Sequence, residues 1–230
     1  MKLTTNQINQ IDETLVLNKV IYDDIKLELT DHIASDIEEI MTSQEVSYEV
    51  GFMQAFEKWK AQLKPKTGFW APGKNRFLFF ESNVEPKLVN DKLEKISKSK
   101  TLNSLVISLA IVGLIMGSIK FNDIKNVLPI IKQVYVILCF GMIVLLVLGR
   151  MVISQFKSNT IFGFLFKKGC FQSIWIIVLG LYMLSGIFDK IISDKYYITL
   201  FLINFGFVNS VFTLRLLYKH FQFEKKLSKA

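Results

Sequence analysis

The chain has 230 residues, of which 51% are hydrophobic, and a formal net charge of +8. Residues 1–81 hold nine Lys or Arg against 13 Asp or Glu, whereas residues 82–230 hold 19 against seven. The basic residues lie mainly at the ends of apolar segments, where they direct membrane topology, so the basic composition argues against nucleic-acid binding.

The N-terminal 65 residues are predicted to form three amphipathic helices. Thr5 or Asn6 is expected to cap the first helix. The second is predicted at roughly Val20–Met41, and the third from an N-cap at Ser47 to a stop at Pro65. Their apolar positions recur every three or four residues, as one buried face of a helix requires. These positions are Ile8, Ile11 and Leu15; then Ile21, Ile25, Leu29, Ile33, Ile37 and Ile40; then Phe52, Phe56, Trp59 and Leu63.

Four later segments are predicted to cross a membrane as helices. Each runs 17 to 19 residues without a charge, at Thr101–Ile119, Gln133–Gly149, Cys170–Phe188 and Tyr197–Leu214. About 20 apolar residues cross a bilayer core, and only helices satisfy their own backbone there. We therefore expect an all-α protein, with a three-helix cytosolic domain over residues 1–82 and a four-span transmembrane domain over residues 83–230.

The flanking Lys and Arg residues predict the orientation of these spans. Fourteen lie before span one, between spans two and three, or after span four, and five lie in the other two loops. The positive-inside rule therefore predicts a cell (inner) membrane protein with both termini in the cytoplasm. The lysine-rich composition, with 25 Lys against three Arg, suggests a bacterial source. These spans imply the lipid bilayer as a partner.

For two segments the sequence allows two alternative structures. Residues 67–82 are rich in Phe and contain Gly68, Pro72 and Gly73, so they either pack over the helical domain or lie at the lipid headgroups. The loop Met151–Gly169 is either an interfacial helix or the extended ends of the spans that it joins.

The polar cluster that most invites a functional interpretation is Glu28, Asp31 and His32. These residues project from one side of a helix, at i, i+3 and i+4. A carboxylate and an imidazole one turn apart can share a metal ion, or can form a structural or interaction motif. The structural interpretation is preferred, because no second ligand set, nucleophile or phosphate-binding loop accompanies the cluster. Cys139 and Cys170 lack metal-site spacing. We expect no catalytic, metal or cofactor site.

Small residues in the spans indicate helix packing. Gly113 with Gly117, and Gly206 with Ser210, have the spacing that lets helices approach closely, either within the bundle or between subunits of a homo-oligomer. Span four also carries Thr199, Asn204, Asn209 and Thr213, for which interhelical hydrogen bonding is preferred over the lining of a substrate path. No charged group lies in the middle of any span, which disfavours ion-coupled transport.

The run from Tyr22 to Glu39, YDDIKLELTDHIASDIEE, with Phe56-Glu57-Lys58-Trp59 and Gly68-Phe69-Trp70, resembles a family of uncharacterised flavobacterial (Bacteroidota) multi-pass membrane proteins with an ELxDH helical domain. The layout is similar to that of HAAS and permease-prefix domain proteins, which are associated with PadR-like regulators and ABC permeases. The resemblance implies a sensing or interaction module on a membrane anchor.

Three functions follow as hypotheses. The first is a non-enzymatic regulatory protein whose cytosolic domain binds a protein partner or itself. The second is a small permease or an accessory subunit of a transport complex. The third, a metal-dependent enzyme at Glu28 and His32, is the weakest.

Overall fold

The computed structural model describes residues 2–64, 85–121, 128–184 and 196–228, and within these ranges the chain contains helices and no strand. The helices are α1 (Thr5–Leu17), α2 (Asp23–Gln44), α3 (Tyr48–Leu63), α4 (Lys87–Phe121), α5 (Leu128–Ile153), α6 (Ile161–Leu184) and α7 (Tyr196–Leu227). The predicted all-α class is therefore confirmed.

The chain divides into two compact units. The first, called the head unit below, comprises Met1–Ile96 together with Ser158–Ile161. The second, called the span unit, comprises Ser97–Lys157 and Phe162–Ala230. The predicted boundary after residue 82 and the aromatic segment 67–82 lie outside the described residues, as do residues 122–127 and 185–195.

Thr4 caps α1, one residue earlier than the sequence predicts. Its hydroxyl accepts a hydrogen bond from the Gln7 backbone N–H, and the Gln7 side chain accepts one from the Thr4 backbone N–H. This reciprocal capping box satisfies two backbone donors that the first turn of a helix leaves free. Three positions after Thr5 lies Ile8, which cannot return the bond as Gln7 does.

The core of the head unit is the apolar stripe of α2, covered by α1 and α3. The predicted positions Ile11 and Leu15 on α1 are fully buried. Along α2 the stripe is buried over its central part, at Ile25, Leu29, Ile33 and Ile37. The ends of the predicted stripe are less enclosed, because Ile21 precedes the helix and is 42% exposed.

The third helix begins after Ser47 and ends at Leu63, as predicted. Lys64 is extended, which is the conformation favoured for a residue that precedes proline. The closest packing of α3 uses smaller residues than expected, because Gly51 and Ala55 are buried whereas the predicted Phe52, Phe56 and Trp59 are only half-buried. A Cβ at Gly51 would lie 3.2 Å from Met41 Cγ, so this glycine allows α3 to approach α2.

Residues from beyond the three helices complete the head unit. The Tyr22 hydroxyl donates to Glu85 Oε1 at 2.9 Å, and Asn90 Nδ2 donates to the Glu85 backbone carbonyl at 2.9 Å. All three side chains are buried. Burial, together with the adjacent Glu85 carboxylate, raises the pKa of Tyr22, so its hydroxyl keeps its proton and serves as a donor.

The span unit consists of helices that are long and apolar enough to cross a membrane. The helices α4, α5 and α7 each contain one predicted span, and α6 contains residues 170–184 of the third. The most apolar part of α7 is 56% buried, against 17% for α4, so α7 forms the centre of the bundle and α4 is largely exposed on its outside. Cys139 and Met142 of α5 pack with Ile177 of α6 and Ile203 of α7 in the bundle core.

The connection between α5 and α6 is short. Because α5 continues to Ile153 and α6 begins at Ile161, most of the Met151–Gly169 segment belongs to the extended ends of the helices that it joins. This is the second of the two structures that the sequence allowed.

Candidate functional site

The three side chains Glu28, Asp31 and His32 are all exposed, and the structure gives each a different environment. Lys92 Nζ donates to Glu28 Oε2. The His32 ring stacks on Trp59, with centroids 6.4 Å apart. The Asp31 side chain has no hydrogen bond or ion pair within the described ranges. Within those ranges no group of three or more His, Cys, Asp or Glu side chains could hold a metal ion.

Asp36 is the polar residue that fixes this region, and the sequence analysis did not single it out. Its Oδ1 accepts from Lys58 Nζ at 2.8 Å, and its Oδ2 accepts from Trp59 Nε1 at 2.7 Å. Although partial burial opposes ionisation, these two hydrogen bonds and the nearby cation lower the pKa of Asp36. Asp36 thus joins α2 to α3 and positions the indole under His32. The sequence feature that could have identified Asp36 is its position four residues after His32, because residues at this spacing are neighbours on a helix.

A continuous exposed strip runs along α2 on the side away from the core. It is formed by four exposed residues spaced four apart, and it is called the outer face of α2 below. Its members are Leu27, Asp31, Ser35 and Glu39. Leu27 is 59% exposed. The strip therefore offers one apolar side chain and two carboxylates to solvent.

The start of α2 holds a segment that is distant in sequence. The Asp23 backbone N–H donates to the Asn159 carbonyl at 2.7 Å, and the Asn159 backbone N–H donates to Asp23 Oδ2 at 2.7 Å. Asn159 Nδ2 also donates to the Ile21 carbonyl at 3.2 Å. These bonds make the segment Ser158–Ile161 an integral part of the head unit.

Asp24 caps the first residue of α6. The Ile161 backbone N–H donates to the carboxylate of Asp24, at 3.0 Å to Oδ1 and 3.3 Å to Oδ2. Oδ1 also accepts from the Ile25 backbone N–H at 3.1 Å. Burial raises the pKa of Asp24, although the two backbone donors act in the opposite direction. A carboxylate at the N-terminus of a helix is stabilised by its dipole as well as by the hydrogen bond.

The two small-residue pairs predicted in the spans have different environments. A Cβ at Gly113 or Gly117 would meet no described atom within 4 Å, and both glycines are exposed on α4. By contrast, a Cβ at Gly206 would lie 3.0 Å from Ile177 Cγ1, and Ser210 is fully buried. Among the described residues, close helix approach therefore occurs at Gly206 and not at Gly113 or Gly117.

Gly180 is a second close contact between α6 and α7 that the spacing rule did not select. A Cβ there would lie 2.6 Å from Ile203 Cγ1 and 3.3 Å from the Ile203 backbone nitrogen. Gly180 on α6 and Gly206 on α7 are therefore the positions at which these helices meet. These two contacts could not be predicted from the sequence of a single helix, because the partner of each glycine is an isoleucine of the other helix.

The polar side chains of α7 form hydrogen bonds between helices. Asn204 Oδ1 accepts from the Tyr135 hydroxyl at 3.0 Å, which links α7 to α5. Asn209 Nδ2 donates to Ser173 Oγ at 2.8 Å, which links α7 to α6. Ser173 and Thr213 are also in contact, with their hydroxyl oxygens 3.4 Å apart. These bonds match the preferred interpretation of the asparagines, and they leave the side chains buried rather than open to a path.

No family model, curated protein or solved structure matches the chain. The resemblance of the Tyr22–Glu39 run to a flavobacterial membrane-protein family therefore stays a prediction.

Proposed function

We propose that this chain is a multi-pass protein of the bacterial inner membrane that acts as a regulatory or sensing protein through its head unit. The excess of Lys and Arg on the side of the α5–α6 connection supports a cytoplasmic location for both termini. The head unit binds a protein partner, and the four helices that can span a membrane serve as its anchor or sensor.

The observation that carries this proposal is the state of Asp31. The carboxylates on either side of it along α2 are engaged, Glu28 with Lys92 and Asp36 with Lys58 and Trp59. Asp31 is exposed and makes no side-chain hydrogen bond or ion pair to any described residue. An exposed carboxylate held on a rigid helix beside an exposed leucine suits a partner that presents a basic group next to an apolar contact.

A non-enzymatic role is supported by the engagement of the two groups that could have worked together chemically. Glu28 is paired with a lysine and His32 is stacked on an indole, so neither is directed at a common point. A shared metal ion or a proton transfer would require both to face the same ligand.

A photo-crosslinking experiment on the full chain in its native membrane tests the proposal. A benzophenone amino acid at Ser35, on the outer face of α2, is compared with the same group at Gln54, an exposed position on α3. We expect a discrete adduct from position 35 alone, and we expect the charge reversal Asp31→Lys to remove it. No adduct at position 35, or an adduct that is equally strong at position 54 or insensitive to Asp31→Lys, would refute the proposal.

A further inference from the structure

Lys100 of α4 contacts two other helices of the span unit, α6 and α7. It directly precedes the charge-free segment Thr101–Ile119, and its side chain is partly buried. Its ammonium donates to Thr213 Oγ1 of α7 at 3.4 Å. A Cβ at Gly169 of α6 would lie 3.0 Å from Lys100 Nζ, so the glycine makes room for the ammonium. The charge is thus held at a defined position rather than extended into solvent.

The ammonium group is under-satisfied by the protein. A lysine has three N–H donors, and the described residues accept one of them, through a long bond. No ion pair to Lys100 occurs among these residues. The described part of the span unit holds a single carboxylate, Glu224, which faces His220 with Oε1 3.8 Å from Nε2. Partial burial of a cation without an anion is costly, so an anion from outside the protein would stabilise this arrangement.

Other cations surround the same end of the bundle. Arg150, at the end of α5, donates from Nη1 to the Lys167 backbone carbonyl at 2.8 Å and forms no ion pair within the described ranges. Lys168 is within electrostatic range of Lys100. Arg215 directly follows the charge-free segment of α7. Together these residues place a positive potential at the depth where the charge-free segments end, which is the level of lipid headgroups.

We propose that Lys100, assisted by Arg150 and Lys168, binds the phosphate of an anionic phospholipid such as phosphatidylglycerol. Phosphate oxygens accept the N–H donors that the protein leaves unfilled, in charge-assisted hydrogen bonds. The acyl chains would lie along the exposed apolar side of α4, whose members include Leu102, Leu105, Val106 and Leu109. That adjacent apolar surface favours a lipid over a free phosphate ion, and the site does not depend on what the head unit binds.

The test is a lipid titration of the purified full chain in detergent, read out by thermal unfolding and by native mass spectrometry. The ligands are phosphatidylglycerol, phosphatidylcholine and inorganic phosphate at matched concentrations. The variants are Lys100→Gln, which removes the charge, Lys100→Arg, which keeps it, and Lys226→Gln, which removes a charge from the exposed C-terminal end of α7.

We expect phosphatidylglycerol to stabilise the wild type, with weak or no effect of the other two ligands. Lys100→Gln should require about five- to tenfold more phosphatidylglycerol, as the loss of one charge contact predicts, whereas Lys226→Gln and Lys100→Arg should titrate like the wild type. A wild-type titration of Lys100→Gln, an equal effect of phosphatidylcholine, or full reproduction by inorganic phosphate would overturn the proposal. If Lys100→Gln does not fold, the Lys100→Arg variant decides. Loss of phosphatidylglycerol binding in this variant would overturn the proposal, and binding as tight as that of the wild type would support it.

Discussion

Asp23 and Asn159 are 136 residues apart and exchange two hydrogen bonds of 2.7 Å, one in each direction. One bond joins two backbone groups, and the other joins the Asn159 N–H to the Asp23 carboxylate. Because Asn159 belongs to the segment between α5 and α6, the head unit is not a contiguous piece of the chain. A fragment that ends before α4 would lack both this segment and the buried Asn90, which donates to the Glu85 carbonyl.

Asp24 provides the sharpest test of this arrangement. Asp24→Ala removes the acceptor of the Ile161 N–H and should destabilise the head unit by about 1 kcal/mol, the usual value of a helix cap. Asp24→Asn keeps an oxygen acceptor and removes a charge that burial disfavours, so it should be neutral or slightly stabilising at pH 7. Hydrogen exchange at the Ile161 amide measures the effect, with Glu13→Ala on exposed α1 as the control. Equal protection in the Ala and Asn variants would contradict the assignment of Asp24 as a cap.

Asp36 should make the head unit sensitive to acid. Its pKa is lowered in the folded state, so its contribution to the free energy of unfolding is present above the unfolded value of about 3.9 and is lost as pH falls through the lower, folded pKa. Asp24, whose pKa is raised, acts in the opposite sense, because its protonation relieves the cost of a buried charge.

Thermal unfolding of the full chain between pH 7 and pH 3 measures both effects. Asp36→Asn should lower stability at pH 7 and make the loss of stability below about pH 4 less steep. Asp24→Asn should make that loss steeper. Lys58 and His32 both face Asp36, and both favour its ionised carboxylate in the folded protein. An unchanged pH profile in Asp36→Asn would show that this carboxylate is not linked to folding.

The glycines of α6 and α7 should be intolerant of a side chain. Gly180→Ala and Gly206→Ala push a methyl group against Ile203 and Ile177, and overpacking of this kind typically costs about 1–3 kcal/mol. Gly113→Ala is the matched control on α4, where no described atom lies within 4 Å, and it should leave thermal stability unchanged. If Gly113 instead belongs to a homo-oligomer contact, Gly113→Leu should lower the oligomeric mass in detergent without lowering stability.

Labelling of α7 discriminates a transport function from a packing function. Asn204 and Asn209 are 4% and 5% exposed and form hydrogen bonds to α5 and α6, so Asn204→Cys and Asn209→Cys should resist a water-soluble maleimide. Ser228→Cys, near the exposed C-terminal end of α7, is the reactive control. The wild type is the blank, because Cys139 and Cys170 are both buried. Rapid labelling at position 204 or 209 would favour the permease or accessory-subunit hypothesis.

The elements themselves were predictable, because each depends on a local pattern. Charge-free runs of 17 to 19 residues gave the spans, and the three- and four-residue spacing of α2 gave the buried positions from Ile25 to Ile37. The contacts of the candidate site were not predictable in the same way. Glu28 meets Lys92 from 64 residues away, and Asp24 meets Ile161 from 137 residues away. No local pattern encodes such pairs.

The glycines of the spans show that a spacing pattern within one helix does not predict its contacts either. Gly113 with Gly117 has the better packing motif, and yet it is Gly180 and Gly206 that pack closely against another described helix. A spacing rule identifies a surface on which a helix can approach closely. Whether another helix lies against that surface depends on the rest of the bundle.

The central claim is that the N-terminal part of the chain and the C-terminal end of α7 lie on the same, cytoplasmic side of the membrane, because four membrane-spanning helices separate them in sequence. Single cysteines at Gln10 and Ser228, both exposed positions, can be treated with a membrane-impermeant maleimide in intact and in permeabilised cells. The account predicts that neither cysteine reacts in intact cells and that both react after permeabilisation. Labelling of either position from outside intact cells would contradict it.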